Sequence, residues 1–347
     1  MNKKTTYTAL FWAIAIAVLY LGAPVLIPLA LAGLLATLLQ NWAEWLERKG
    51  FSRMWASLTA VLSVLVLLSG FVALLALHLQ ELMEQSQDLK SKVQDQVNQL
   101  RMWVSETFGM SLAEQKEAVE SRQADGKTGD AVMAVIGGMA TVVLNTILVI
   151  VYTFLLLFYR DNIANFILRL APTEKQERVE KIMAKSTQVS RLYLRGLFYM
   201  VACLWVMYGV GFSILGVEGA LFFALLCGSL EIIPFVGNLV GNTVVVLAVL
   251  AQGGDSSMVL GVIGIYMVVQ LTQTYILEPV VVGHRVSINA LFTILGLIVG
   301  ELIWGIAGLA LAIPALGIVK IICDHVPEWK PFGELLDTKR RRPAKRR

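Results

Sequence analysis

What most constrains this chain is a succession of apolar runs, several of which reach or exceed the roughly 20 residues a helix needs to cross a bilayer. One starts at Thr8 and continues almost to Leu39. Others cover 54–79 and 131–159, and beyond Arg195 the chain stays mostly apolar to Val319. Of its 347 residues only 16% are charged, against about 25% in an average soluble domain. The expected fold class is an all-α membrane protein of about eight transmembrane helices, with re-entrant or interrupted helices in the C-terminal half and a long extracytoplasmic helical insert. The first run is too long for a cleaved signal peptide, and no small-residue cleavage site follows a short core, so it reads as retained structure. Cys203, Cys227 and Cys323 lie in or at the ends of apolar runs and form no CxxC pair. They read as small core residues, and neither a disulfide framework nor a zinc site is implied.

Charge divides the chain into segments. Residues 1–80 hold the N-terminal transmembrane helices, with Pro24 and Pro28 marking a break in the first run. Residues 81–130 carry ten acids and six bases and no spanning segment. Within them Leu82, Leu89, Val93, Val97, Leu100 and Val104 recur at helical steps and share one face of an amphipathic helix. The SRQADGKTGD tail of this segment reads as a flexible loop. Residues 131–159 form a further transmembrane helix. Residues 160–195, with eight bases and four acids, read as a cytoplasmic amphipathic segment. There PTEKQ sets Thr173 three residues before Gln176, the pattern of a capping box. Residues 196–323 form an interrupted-helix core, and 324–347 a basic cytoplasmic tail. Lys/Arg-rich loops stay in the cytoplasm, so both termini are expected inside and 81–130 outside. The basic tail reads as a topology anchor touching anionic lipid rather than nucleic acid.

The interrupted half holds the chemistry. From Gly196 to Val319 there are 124 residues and six formal charges, Glu218, Glu231, Asp255, Glu278, Arg285 and Glu301. Glu218 and Asp255 sit beside glycines at turns. Glu231, Glu278 and Glu301 are harder to dismiss, because a carboxylate at membrane depth is costly and tends to mark a pathway or a paired site. Two settings are alike. Glu231 precedes Pro234, Gly237 and Asn238; Glu278 precedes Pro279, Gly283 and His284. Proline removes a backbone donor and clashes with the preceding turn, and glycine permits backbone conformations that other residues avoid. Each element therefore predicts a helix that stops and restarts, or a tight hairpin. The flanking runs 219–230 and 288–300 are too short to span comfortably. Non-helical backbone at membrane depth survives only where protein or water satisfies it, and such interruptions point to a transporter's binding site. Asn238, Asn242, Gln270, Gln273 and Asn289 could then coordinate a polar solute. The alternative is that both breaks are cytoplasmic loops, with Glu278 and Arg285 as surface charges. Gly296, Gly300, Gly305 and Gly308 read as small-residue helix contacts.

The stretches IPFVGNLVG and QLTQTYILEPVVVGHRVSINALFTILGLIVGELIWGIAGLALAIP resemble the autoinducer-2 exporter family of bacterial inner-membrane proteins. The resemblance covers nearly the whole chain and is specific from about Leu230 to Pro314. It implies export of a small polar signal or metabolite from the inner membrane, and a homo-oligomer, with a ring as one form. Some relatives are described as sodium/proton antiporters, so membership does not fix the substrate. Pro234, Gly237, Glu278, Pro279 and Gly283 fall on the family's motif. The chain departs from it where Asn289 and Ala290 replace a histidine–proline pair, and where Val280 replaces a lysine. Glu231 is not a fixed member of the pattern.

No phosphate-binding GxxxxGK[ST] loop is present, which argues against a built-in ATP motor. A secondary transporter follows, with Glu231 and Glu278 as candidate proton- or cation-linked carboxylates. The second reading is a non-transporting oligomeric scaffold organised by the 81–130 and 160–195 segments. An intramembrane enzyme comes third, since neither HExxH nor GxSxG occurs and no acids are paired at catalytic spacing. No catalytic residue, metal site or cofactor is expected.

Overall fold

A backbone in lipid must satisfy its own hydrogen bonds, so apolar runs of this length become helices. The computed structural model describes residues 7, 10, 14, 17–84, 144–233, 236–282 and 288–337. The stripe from Leu89 to Val104, the SRQADGKTGD loop, Pro234, Gly283, His284, Arg285 and the basic tail from Thr338 lie outside these residues. Helices dominate the described residues. Their one β contact is an isolated bridge between Ile288 and Asp337.

Helix α1 (Ala23–Arg48) follows Gly22 and carries Pro24 in its first turn, where a missing N–H leaves no bond unmade. The break in the first apolar run falls at Gly22, not within Pro24–Pro28, and Pro28 is buried inside α1. Helix α2 (Arg53–Glu84) returns antiparallel and extends past the end of its apolar run. Ala36, Leu39 and Ala43 of α1 pack on Ala60 and Val61 of α2 and on Leu157 of α3 (Leu144–Phe158). The small alanines let the helix backbones approach closely. After Tyr159 the chain bends by 70° into α4 (Arg160–Leu170). An ion-pair cluster ties this elbow to the α1–α2 turn: Arg160 meets Glu47 at 2.7 Å, and Arg53 pairs with Asp161.

The capping box expected at Thr173 does not form. Pro172 is extended and Thr173–Lys175 make one 3-10 turn, while Gln176 reaches back only to the Ala171 carbonyl at 3.5 Å. Helix α5 (Gln176–Ile214) then runs unbroken for 39 residues, about 58 Å at 1.5 Å per residue. It therefore continues from the basic segment across the apolar layer. Arg191 donates to Gln40 of α1 at 3.1 Å, and Lys185 lies 3.0 Å from Nε2 of His325. The basic ends of α1, α2, α5 and the last long helix thus share one face of the protein.

Beyond α5 come α6 (Ala220–Leu230), α7 (Val236–Ala251) and α8 (Ser256–Thr272). Helix α8 continues as a π-helical segment, Gln273–Val282. Leu204, Tyr208 and Phe212 of α5 form the main core with Phe222, Phe223, Val245, Val249 and Val262. Helix α9 (Ala290–His325) folds back on itself at Gly305, whose φ of 57° and ψ of −137° are not helical. A 3-10 turn and short α10 (Lys330–Leu336) follow. Five described helices are long and apolar enough to cross a membrane, or six if α3 and α4 together are one span. The fold is thus a multi-pass helical membrane protein, with five to six such helices among the described residues where about eight were expected.

Candidate functional site

Helices α6 and α7 form an antiparallel hairpin. Its base is closed by Gln252, whose Nε2 donates to the Glu218 carbonyl at 3.0 Å. Its tip is the Glu231–Ile233 turn, where the Ile233 amide donates to Leu230 O at 2.9 Å and the Gly237 amide to Ile233 O at 3.0 Å. A Cβ on Gly237 would run into the carbonyl of Leu230, so the return at this point requires glycine. With 11 residues α6 is about 16 Å long. That is about half of a hydrocarbon core, too short for α6 to cross it alone.

The second hairpin is made by the two arms of α9. Gly300 and Gly308 meet backbone to backbone across it, and a side chain on either would overlap the other's carbonyl. Leu316 fills the space over Gly296. Gly296, Gly300 and Gly308 therefore do make close helix contacts, but between arms of one folded-back helix, while Gly305 is the turn and faces open space. The base of this hairpin lies at the basic face, beside Lys320, Asp324 and His325. The base of the first, at Glu218 and Gln252, lies at the far end of α5. The two hairpins enter from opposite faces. They touch where Ile233, at the first tip, packs on Leu297, Leu309 and Ala312 of the second.

Beside the first tip is a group of buried polar side chains. Glu231 is 7% exposed and Gln273 5%. Gln273 donates to Glu231 Oε2 at 3.5 Å, a long bond. Asn238 donates to Gln270 of α8. Asn242 donates to Asn238 O at 2.9 Å and to its Oδ1 at 3.1 Å. Tyr208 of α5, fully buried, faces the Asn242 side chain within hydrogen-bonding reach and lies within electrostatic range of Glu231 and Cys227. Two oxygens in this group, Glu231 Oε1 and Gln273 Oε1, have no partner, while the Tyr208 hydroxyl and the Asn242 side chain face each other. Leaving a buried polar group unsatisfied costs about 1–3 kcal/mol. The cluster offers two free oxygen acceptors beside a Tyr208–Asn242 pair, which suits a proton, a hydrated cation or the hydroxyls of a polar solute. No group of three His, Cys, Asp or Glu side chains that could hold a metal occurs among the described residues.

The predicted site residues divide accordingly. Glu231, Gly237, Asn238, Asn242, Gln270 and Gln273 come together at the first tip. Glu278 is on the π-helical segment, exposed but close enough for its charge to act on Glu231. Its helix ends at Val282 and the next begins at Ala290, so the helix stops and restarts across this element. Before that stop it widens to π winding, a form of irregularity frequent at functional sites. Asn289 is not in the cluster and instead caps α9, its Oδ1 accepting from the Leu291 amide at 3.1 Å. Pro234, Gly283 and Arg285 lie outside the described residues. Glu301 is exposed near the second tip. Tyr208 is missed by a sequence reading that places aromatic residues in the interfacial belt. Its position inside the apolar stretch 196–214 of a helix that must cross the membrane is the signal that could have found it. At the basic face, an open cavity of about 710 Å³ adjoins the π-helical segment, lined among others by Leu38, Leu192, Arg195, Tyr199 and Val280.

The wider comparisons agree with this architecture. A bacterial transport protein of Mycobacterium tuberculosis, so named provisionally, is 26% identical over 324 residues, covering 90% of this chain and 86% of its own length. The Escherichia coli protein YhhT, also provisionally named a transport protein, is 25% identical over 312 residues, 89% of this chain and 86% of its own. The provisional permease PerM of the same organism is 25% identical over 320 residues, 90% of each chain. The family model described as AI-2E family transporter matches residues 10–328. The chain belongs to the AI-2E transporter family.

Proposed function

We propose that this protein is a secondary transporter that exports a small polar solute, of which autoinducer-2 is one, using the polar cluster at the first hairpin tip as its binding site. The observation that carries this reading is the buried polar cluster of Glu231, Gln273, Asn238, Asn242 and Tyr208, placed where two hairpins from opposite faces meet. Irregular backbone at membrane depth is tolerated where it lines a cavity. Opposed half-helices around a midplane site are a recurrent transporter design. The open cavity at the basic face would admit solute from the cytoplasm. Glu231 is the coupling carboxylate for a proton or sodium ion, and exposed Glu278 modulates it. The positive-inside rule puts the basic face, and both termini, in the cytoplasm of a bacterial inner membrane. The working form is a homo-oligomer.

Uptake into inverted vesicles, with and without the protein, tests this reading. Autoinducer-2 would be supplied under imposed proton or sodium gradients. Protein-dependent accumulation that collapses with an uncoupler, and is lost in Glu231→Gln, is the expected result. Protein-dependent equilibration that ignores every gradient would make the path channel-like and Glu231 structural. No flux of autoinducer-2 would remove that solute and make sodium/proton exchange the next assay. A scaffold, by contrast, would lose its role on deletion of 81–130, whereas a transporter with an intact core would retain part of its flux.

A further inference from the structure

Helix α4 plays no part in the transport reading, and its chemistry is unlike that of any spanning helix. It carries Arg160, Asp161, Asn162, Asn165 and Arg169 within 11 residues, too polar a load for the bilayer core. Yet Ile163, Phe166, Ile167 and Leu170, spaced i, i+3, i+4 and i+7, share one face and are exposed by 38%, 63%, 38% and 69%. None of its residues is buried. This is the pattern of a helix that lies in a membrane interface, with its apolar face about 5–10 Å into the headgroup and acyl boundary.

Three further observations choose the lipid surface as the occupant. Helix α4 follows α3 after a single residue, Tyr159, and leaves it at 70°. A helix turning by that angle at the end of a membrane helix runs close to the membrane plane. The turn occurs at the basic face, and the Arg160–Glu47 and Arg53–Asp161 pairs hold it beside the α1–α2 turn. Exposed Arg169, Lys175 and Arg178 then follow at and beyond its end, which suits anionic headgroups. We infer that α4 is an in-plane anchor, seated on the anionic lipid surface of the leaflet at the basic face, and that it sets the depth at which α3 leaves the membrane.

The test uses the full chain in vesicles of phosphatidylcholine with phosphatidylglycerol. Cysteines replace Ile163, Phe166 and Leu170 in one set and Asp161, Asn165 and Arg169 in the other, in a background with Cys203, Cys227 and Cys323 changed to alanine. Each site is spin-labelled, and its accessibility to oxygen and to a water-soluble nickel chelate is measured. The inference expects a several-fold higher oxygen-to-nickel ratio at 163, 166 and 170 than at 161, 165 and 169. It also expects the label at 166 to move toward water in pure phosphatidylcholine. Equal ratios on both faces would overturn it. So would dipolar coupling between labels at 166 of two chains, because the apolar face would then be covered by a second copy. An unchanged depth at 166 in pure phosphatidylcholine would overturn the choice of anionic lipid. Flux is not measured, so the outcome is independent of the transport reading.

Discussion

The two hairpins have the same outline and different tips. In the first, Gly237 lies against Leu230 and Gly241 against Cys227, so the α6 and α7 arms pack closely, and polar side chains beside the Glu231 tip face α8. In the second, Gly300 and Gly308 bring the arms of α9 into backbone contact, and the turn at Gly305 lies between Trp304 and Ile306. Both hairpins are closed by glycine, but only the first carries buried polar side chains at its tip. The comparison assigns the chemistry to the first and stiffness to the second. Trp304 supports that division by donating to the Leu19 carbonyl at 2.9 Å, which holds the second tip against the first helical residues.

The sharpest way to break this comparison is to enlarge the second seam. Gly308→Val should cost several kcal/mol, beyond the ~1–3 kcal/mol typical of overpacking, because the obstructing atoms are backbone. A large fall in the detergent melting temperature and loss of monodisperse protein are expected; an unchanged melting temperature would mean the arms are not in contact. Next comes Glu231→Gln. It should remove coupled flux by at least about tenfold, the effect of ~1.4 kcal/mol, while leaving melting and oligomeric state intact. Glu278→Gln should have a smaller effect, since its carboxylate is exposed. A larger loss in the Glu278 variant would move the coupling site to the π-helical segment.

A smaller contrast separates the helix caps. The second hairpin is capped by the Asn289 amide, so Asn289→Ala should destabilise it by ~1 kcal/mol at every pH. The first hairpin is followed by α8, whose cap is the Asp255 carboxylate, accepting from the Met258 amide at 3.0 Å and the Ser257 hydroxyl at 2.8 Å. These two donors, the hydroxyl first, hold the Asp255 carboxyl below its ordinary value. A depressed folded value means the stabilisation is present above the unfolded value of about 3.9 and is lost as pH falls through the folded one. Hydrogen exchange at Ser256–Val259 should accelerate in acid below about pH 4, while exchange at Leu291–Thr293 should keep only its intrinsic pH dependence. The smallest effect belongs to Gln252→Ala at the base of the first hairpin. Loss of its bond to Glu218 should cost ~0.5–1.5 kcal/mol and loosen that base without changing the tip, as exchange at Gly219–Leu221 would report.

The first hairpin was legible because its tip is written in residues that lipid disfavours. An acid, a proline, glycines and asparagines between Leu230 and Asn242 have no place in a simple span. The second was legible only in part: the run 288–300 is too short to span and ends beside Glu301, but the turn at Gly305 and the Gly300–Gly308 contact exist only once the chain has folded back. The length of the whole helix was the unused clue: at 36 residues, α9 would be about 54 Å long if straight. The π winding at Glu278 also escaped, since proline and glycine there signal irregularity but not its form. The capping box failed because Pro172 directs the next residues into a 3-10 turn. The polar cluster was readable in its residue types, but its closure by Tyr208 depends on how α5 packs against α6.

The half-length of α6 also bears on biogenesis. An 11-residue apolar helix is below what a translocon can partition into lipid as a span. Neither α6 nor α7 can therefore be laterally released alone on the way to this fold. They must enter together, already paired, into a vestibule walled by α5 and completed by α8. The maturation of the site is then a late step in synthesis, and a chain arrested before Ser256 would carry every residue of the hairpin and still lack the wall against which it closes.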